Sequence, residues 1–263
     1  MKFPTEIIVF FCFSVLAIII AAKYNFFYIE REKKIDINFK ELFVVFFIYF
    51  GSNILIYPLI NKFISSNIIS SFTLNLMVFI VFSIIIFKKK LFFNLSNLKK
   101  DIKVGFFSCF LAFPIFMFIF SIINFVIEEL FKIKNIPNQV AIEYLKHTYN
   151  TPYFFLAVII IILFAPFIEE LLFRGFLQSF LKNYFSYKTS IFITSFLFSI
   201  FHFSNSQKIS NIPILITLFF LGSFLGFLFE KQKSLTSPIV LHATFNSLNI
   251  LNFILLKKYL GVF

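Results

Sequence analysis

The sequence has no tryptophan, two cysteines, six glycines and eight prolines among 263 residues. The cysteines, Cys12 and Cys109, both lie inside apolar runs. They form no CxxC pair and no Cys/His metal spacing, so a disulfide framework and a finger-type zinc site are excluded. Cysteine in such a place behaves as a small apolar residue. Charge is scarce too. Charged residues make up 14% of the chain, where a soluble domain carries about a quarter. Acidic residues number 12 against 24 lysines and arginines, for a net charge of +12. This composition excludes a disordered chain, a collagen-like chain and an ordinary soluble globule.

What the chain has instead is apolar length. Hydrophobic residues make up 60%, and the mean hydropathy is +0.93. That composition reads as a polytopic membrane protein. The 48 phenylalanines accompany abundant Ile, Lys and Asn, so they read as an AT-rich coding bias and not as a ligand cage. Eight runs are long enough to be spans, at about 5–22, 42–60, 68–87, 104–127, 153–172, 190–204, 212–230 and 237–256. Each is expected to be helical, because lipid cannot satisfy open backbone groups. The fold class is therefore all-α, a helical bundle with about eight transmembrane helices. The first run has a thin basic start (Lys2) and no convincing cleavage site, so it reads as a retained span.

The basic residues cluster between spans, as in Lys88-Lys89-Lys90 and Lys99-Lys100. That pattern belongs to loops beside anionic lipid, not to a nucleic-acid surface. Sorting alternate loops gives roughly a two-to-one excess of positive charge on one side, which places both termini outside. The stretch Gln139–Lys146 in the loop 128–152 reads as an interfacial helix. The Glu128-Glu129 pair reads as an interfacial cap, His147 as solvated, and Lys231, Lys233, Lys257 and Lys258 as snorkelling anchors. The chain divides by character into 1–150, variable spans with few buried ionisable groups, and 151–256, which holds nearly all the intramembrane polar groups. One integrated membrane domain is the simplest organisation. Gly222 and Gly226 form a small-xxx-small pair suited to close helix packing.

An ionisable side chain within a span costs about 2.5–3.5 kcal/mol on insertion scales, so it usually has a task. The fifth run ends Ala165-Pro166-Phe167-Ile168-Glu169-Glu170-Leu171-Leu172-Phe173-Arg174-Gly175. Glu170 and Arg174 are four apart, share a helix face and can pair. Glu169 points about 100° away and has no local partner. The sixth run contains Phe198 and His202 on one face, and the last contains His242 and Asn246 on one face. Taken singly, the Glu170–Arg174 pair reads as structural, His202 as interfacial and Asn246 as interhelical glue. Taken together, three helices within about one hundred residues offer polar groups that suit hydrolysis. A carboxylate can serve as base towards water. Histidine can steer that water, bind a metal or donate to an oxyanion. Asparagine can donate to an oxyanion.

At these residues the sequence resembles the CPBP family, also called the Abi or type II CAAX-prenyl-protease family. Its EExxxR, FxxxH and HxxxN motifs are present here, in order, as Glu169-Glu170 to Arg174, Phe198 to His202, and His242 to Asn246. The resemblance covers roughly residues 150–250. It implies an intramembrane endopeptidase in which Glu169 and His202 activate water and His242 and Asn246 stabilise the oxyanion. Glu170 and Arg174 would support the site, and Phe198 would shape it. It also implies a peptide or lipidated-protein substrate within membrane lipid. Relatives of this kind are linked to bacteriocin immunity. The AT-rich composition and small size suggest a bacterial plasma membrane. No cofactor is certain from the sequence. Zinc or another divalent ion on Glu169, His202 and His242 stands against a metal-free glutamate mechanism, and Asn246 beside His242 favours the latter. A non-catalytic scaffold or immunity protein and a proton-coupled transporter are the alternatives. Simple antiparallel spans place His202 at a different depth from Glu169 and His242. The expected remedy is a fifth helix continuing to about Leu181 and a sixth running past Phe203.

Overall fold

The computed structural model describes residues 4–29, 35–64, 66–89, 92–93, 95–132 and 139–260. Lys2, Arg31, Lys33, Lys34, Lys90 and Lys134, which enter the charge bias, lie outside the described residues. The described residues form helices and no strand. In chain order we name α1 (Thr5–Lys23), α2 (Phe39–Phe63), α3 (Asn67–Lys89), α4 (Leu98–Phe131), α5 (Val140–Thr148), α6 (Phe154–Leu181), α7 (Tyr187–Phe201), α8 (Asn211–Gln232) and α9 (Thr236–Leu260). Seven of these are long and apolar enough to cross a membrane: α1 to α4, α6, α8 with the short turn before it, and α9. The chain is an integral membrane protein. Its eighth expected span, α7, has only 15 residues.

Local chemistry explains the boundaries. Asn38 opens α2 with a reciprocal cap: its side chain accepts from Glu41 N, and the Glu41 carboxylate accepts from Asn38 N. Ser186 opens α7 by accepting from Thr189 N. Wide π turns precede two of the mid-helix prolines, Ser52–Ile56 before Pro58 and Ile160–Phe164 before Pro166, whereas α4 stays regular around Pro114. Proline has no N–H and its ring crowds the preceding turn, and at these two positions the helix widens and does not break. A second wide stretch, Leu171–Gln178, follows Glu170 in α6.

Two features set the depth of the polar groups. α6 does run on to Leu181, as expected, but α7 does not pass Phe203. It ends at Phe201, and His202 is its C-terminal cap. The chain then folds back through residues 204–210. Asn211 holds this return: its Nδ2 donates to the carbonyls of Ser204 and Lys208, and its Oδ1 accepts from Ser204 N. At about 1.5 Å rise per residue, His202 stands about 22 Å along α7 and Glu169 about 18 Å inside the end of α6, so their depths agree. The shortness of α7 removes the conflict that lengthening was expected to remove.

The turn between α8 and α9 is sunk into the protein. Ser234, Leu235, Thr236 and Ser237 are all buried. Polar groups there are satisfied at once: Leu235 N donates to Phe92 O, Thr236 N to Ser234 Oγ, and Ser237 Oγ to Asp101 O. Leu235 lies level with Gly175, where an added Cβ would come within 3.3 Å of its side chain. His242 is seven residues farther along and running the opposite way, which returns it to the depth of residue 168 in α6. Pro238 falls in the first turn of α9, where its missing N–H costs nothing.

Candidate active site

The three motifs meet at one point. Glu169 Oε2 lies 3.6 Å from His202 Nε2 and 3.9 Å from His242 Nε2. This carboxylate oxygen is buried and has no hydrogen-bond partner. Both imidazoles are held from behind. His202 Nδ1 is 2.8 Å from the Phe198 carbonyl, which can only accept, so that nitrogen carries the proton. His242 Nδ1 is 2.9 Å from Glu170 Oε1 and donates to it. Fixing the proton on Nδ1 leaves the Nε2 lone pair of each neutral ring facing Glu169.

The support behind His242 is an ion pair in the protein interior. Glu170 Oε1 also accepts from Arg174 Nη1 at 3.0 Å, and both side chains are fully buried. Arg174 Nη2 donates to Gly222 O on α8. Its guanidinium stacks 4.4 Å from the centre of the Phe198 ring, a cation–π contact in a dry setting. Phe198 also packs edge-on to Phe173 and lies 4.7 Å from the His202 ring. It is therefore a wedge behind the two histidines. It does not line the cavity in front of them.

Four residues further along α6 the same pattern recurs with different chemistry. Gln178 Nε2 donates to Gly226 O and to Glu230 Oε1. Lys182 Nζ donates to Glu230 Oε2 at 2.6 Å. Residues 174, 178 and 182 thus face 222, 226 and 230. Gly226 is needed for this approach, because a Cβ there would meet Gln178 Oε1 at 2.7 Å. Sequence reading found the two glycines but not this network. Its members are separated by about fifty positions, and no local spacing links them.

In front of the acid and the histidines lies a cavity of about 410 Å³. Glu169, His202, His242 and Asn246 all line it, and α5 contributes Val140, Ala141 and Tyr144 to its roof. Burial pushes the Tyr144 phenol above its ordinary range, so it stays neutral. Asn246 occupies the cavity wall, and its Nδ2 donates to Ile161 O, in the wide turn before Pro166, at 2.9 Å. That bond uses one of its two amide hydrogens. Tyr49 of α2, which the sequence did not single out, is close enough to interact electrostatically with Glu169. Zinc on Glu169, His202 and His242 would need three ligand atoms disposed around one point. Among the described residues no group of three or more His, Cys, Asp or Glu side chains is placed to hold a metal ion.

Glu128 and His147 stand apart from the site. Glu128 is exposed at the end of α4, and His147 is exposed on α5. Residues 151–248 match the family described as "Rce1-like: Type II CAAX prenyl endopeptidase Rce1-like". No curated protein and no solved structure matches the chain. The matched stretch holds all three motifs and every side chain of the cluster around Glu169. This match falls on the same residues as the resemblance to the CPBP family read from the three motifs.

Proposed function

We propose that this protein is a membrane endopeptidase that hydrolyses a peptide bond with water activated by Glu169. The observation that carries this reading is the convergence of His202 Nε2 and His242 Nε2 on the buried Glu169 Oε2. Three acceptors face one another with no donor between them. Such a cluster repels itself unless it shares a proton or holds a donor such as water. Charge balance points the same way. Glu169, Glu170 and Arg174 sum to −1, and one proton shared among Glu169, His202 and His242 makes the buried set neutral.

In the proposed reaction, water donates to Glu169 Oε2 and to an imidazole Nε2. Glu169 takes a proton as the water oxygen bonds to the scissile carbonyl carbon. The oxyanion formed is met by the shared proton, placed at this stage on His242 Nε2 with Glu170 balancing its charge from behind, and by the second Asn246 N–H. The C–N bond then breaks, and the proton on Glu169 passes to the leaving nitrogen. Proton transfer of this kind contributes about 10²–10⁴-fold. The family match supports a protein substrate in a membrane setting. A prenylated C-terminal peptide is the first substrate to try.

The test is cleavage by purified protein in detergent, using a farnesylated CAAX peptide and a panel of unmodified membrane peptides. Wild type, Glu169→Gln and His202→Ala are compared, each with and without a chelator. The expected result is cleavage by wild type that chelator does not change and that both substitutions abolish. Full activity in Glu169→Gln would overturn the mechanism.

A further inference from the structure

The cavity in front of Glu169 does not end at the catalytic groups. A second cavity, of about 280 Å³, adjoins it. The two share Gln139, Ile214, Thr217, Phe245 and Asn249 as wall residues. Together they form one passage that follows α9 from His242 past Asn252 to Leu256, with Glu128 at the far end. Its walls are unlike those of the lipid-facing groove between α2 and α7, which ten apolar residues line. Side-chain amides recur along it: Asn246, Asn249 and Asn252 on α9, with Gln139, Gln207 and Asn124 opposite.

Several of these wall groups are buried without a partner. Gln207 is 3% exposed, Ser210 1% and Thr217 6%. Gln207 Oε1, Ser210 Oγ, Thr217 Oγ1 and Asn124 Oδ1 have no hydrogen-bond partner. Polar atoms buried in this way are costly unless something pairs with them. The chemistry that pairs with amides and hydroxyls of both polarities is a polypeptide backbone, which offers one donor and one acceptor per residue. A hydrocarbon chain offers neither.

Resting on the proteolytic reading above, we infer that this passage binds an extended, uncharged segment of the substrate on one side of the scissile bond, and that Glu128 receives a basic residue at its end. Fourteen residues of α9 separate His242 from Leu256, a rise of about 21 Å. An extended chain covers that in about six residues at about 3.4 Å each. The selected substrate is a peptide with a lysine or arginine about five to six positions from the cleaved bond.

The test uses fluorescein-labelled ten-residue peptides that are uncharged except for one lysine, walked through every position. Binding to the Glu169→Gln protein in detergent micelles is read by anisotropy, so hydrolysis is not needed. The expected result is one lysine position that binds about tenfold tighter than the all-neutral peptide. Glu128→Lys in the same background should reverse the preference, so that glutamate at that position binds tighter. Thr217→Val and Asn252→Leu should weaken the ten-residue peptides several-fold and leave a tripeptide unaffected. A flat lysine profile, or a preference that Glu128→Lys leaves in place, would overturn the inference. Position-specific binding without cleavage by wild type would count against the protease reading and leave the passage assignment standing.

Discussion

α6 carries two buried polar clusters, about two and a half to three and a half turns apart, and they are built to opposite ends. At Gln178, Lys182 and Glu230 both carboxylate oxygens of the acid are engaged, one by Gln178 and one by Lys182. At Glu169 the acid has an oxygen with no hydrogen bond, facing two imidazole nitrogens that are themselves acceptors. The first cluster is closed and faces helix α8 alone. The second is open to a cavity and draws on three helices. Within one helix, the acid with both oxygens bonded ties two helices together, and the acid with an unbonded oxygen faces the cavity. Glu170 joins the two designs: it pairs with Arg174 as a packing group does, yet it also fixes the tautomer of His242.

Breaking each cluster should produce opposite phenotypes. The largest effect is expected from Glu169→Gln, which keeps the shape and removes the base. Cleavage should fall by about 10³-fold, equivalent to about 4 kcal/mol in the barrier, while the thermal midpoint stays the same. Lys182→Met removes one partner of the buried pair with Glu230. It should destabilise the protein by about 3–5 kcal/mol in chemical unfolding, and the double change Lys182→Met with Glu230→Leu should recover most of that loss. Gly226→Ala sharpens the contrast further. Its Cβ must displace Gln178 Oε1, so a loss of about 1–3 kcal/mol is expected without any effect on kcat. The smallest effect is expected from a chelator, which should leave cleavage unchanged, measured after prolonged dialysis.

The open cluster was far more legible in the sequence than the closed one. Glu169, His202 and His242 stood out because ionisable groups are rare in apolar runs, Asn246 because it lies four residues from His242, and their spacing pointed to a family. The i, i+4 relation of Glu170 and Arg174 could be read from helical geometry. The bond from Glu170 to His242 could not, since it joins positions 72 apart. The depth of His202 was misjudged for a related reason. Phe201 and Phe203 look alike as apolar residues, and only the side-chain bonds of Asn211 show where α7 must stop. The sunk turn at 234–237 could not be read from the sequence, because its long-range bonds join distant positions. Ser237 bonds to Asp101 O in α4, and Leu235 N to Phe92 O in the stretch between α3 and α4.

The most direct measurement takes kcat and the thermal midpoint on the same preparations of wild type, Glu169→Gln and Lys182→Met, with one cleavable peptide. The predicted result is a crossing: Glu169→Gln is as stable as wild type and inactive, and Lys182→Met melts earlier but cleaves with unchanged kcat at low temperature. A Glu169→Gln protein that still cleaves, or one that loses stability as Lys182→Met does, would contradict the assignment of the open cluster to catalysis.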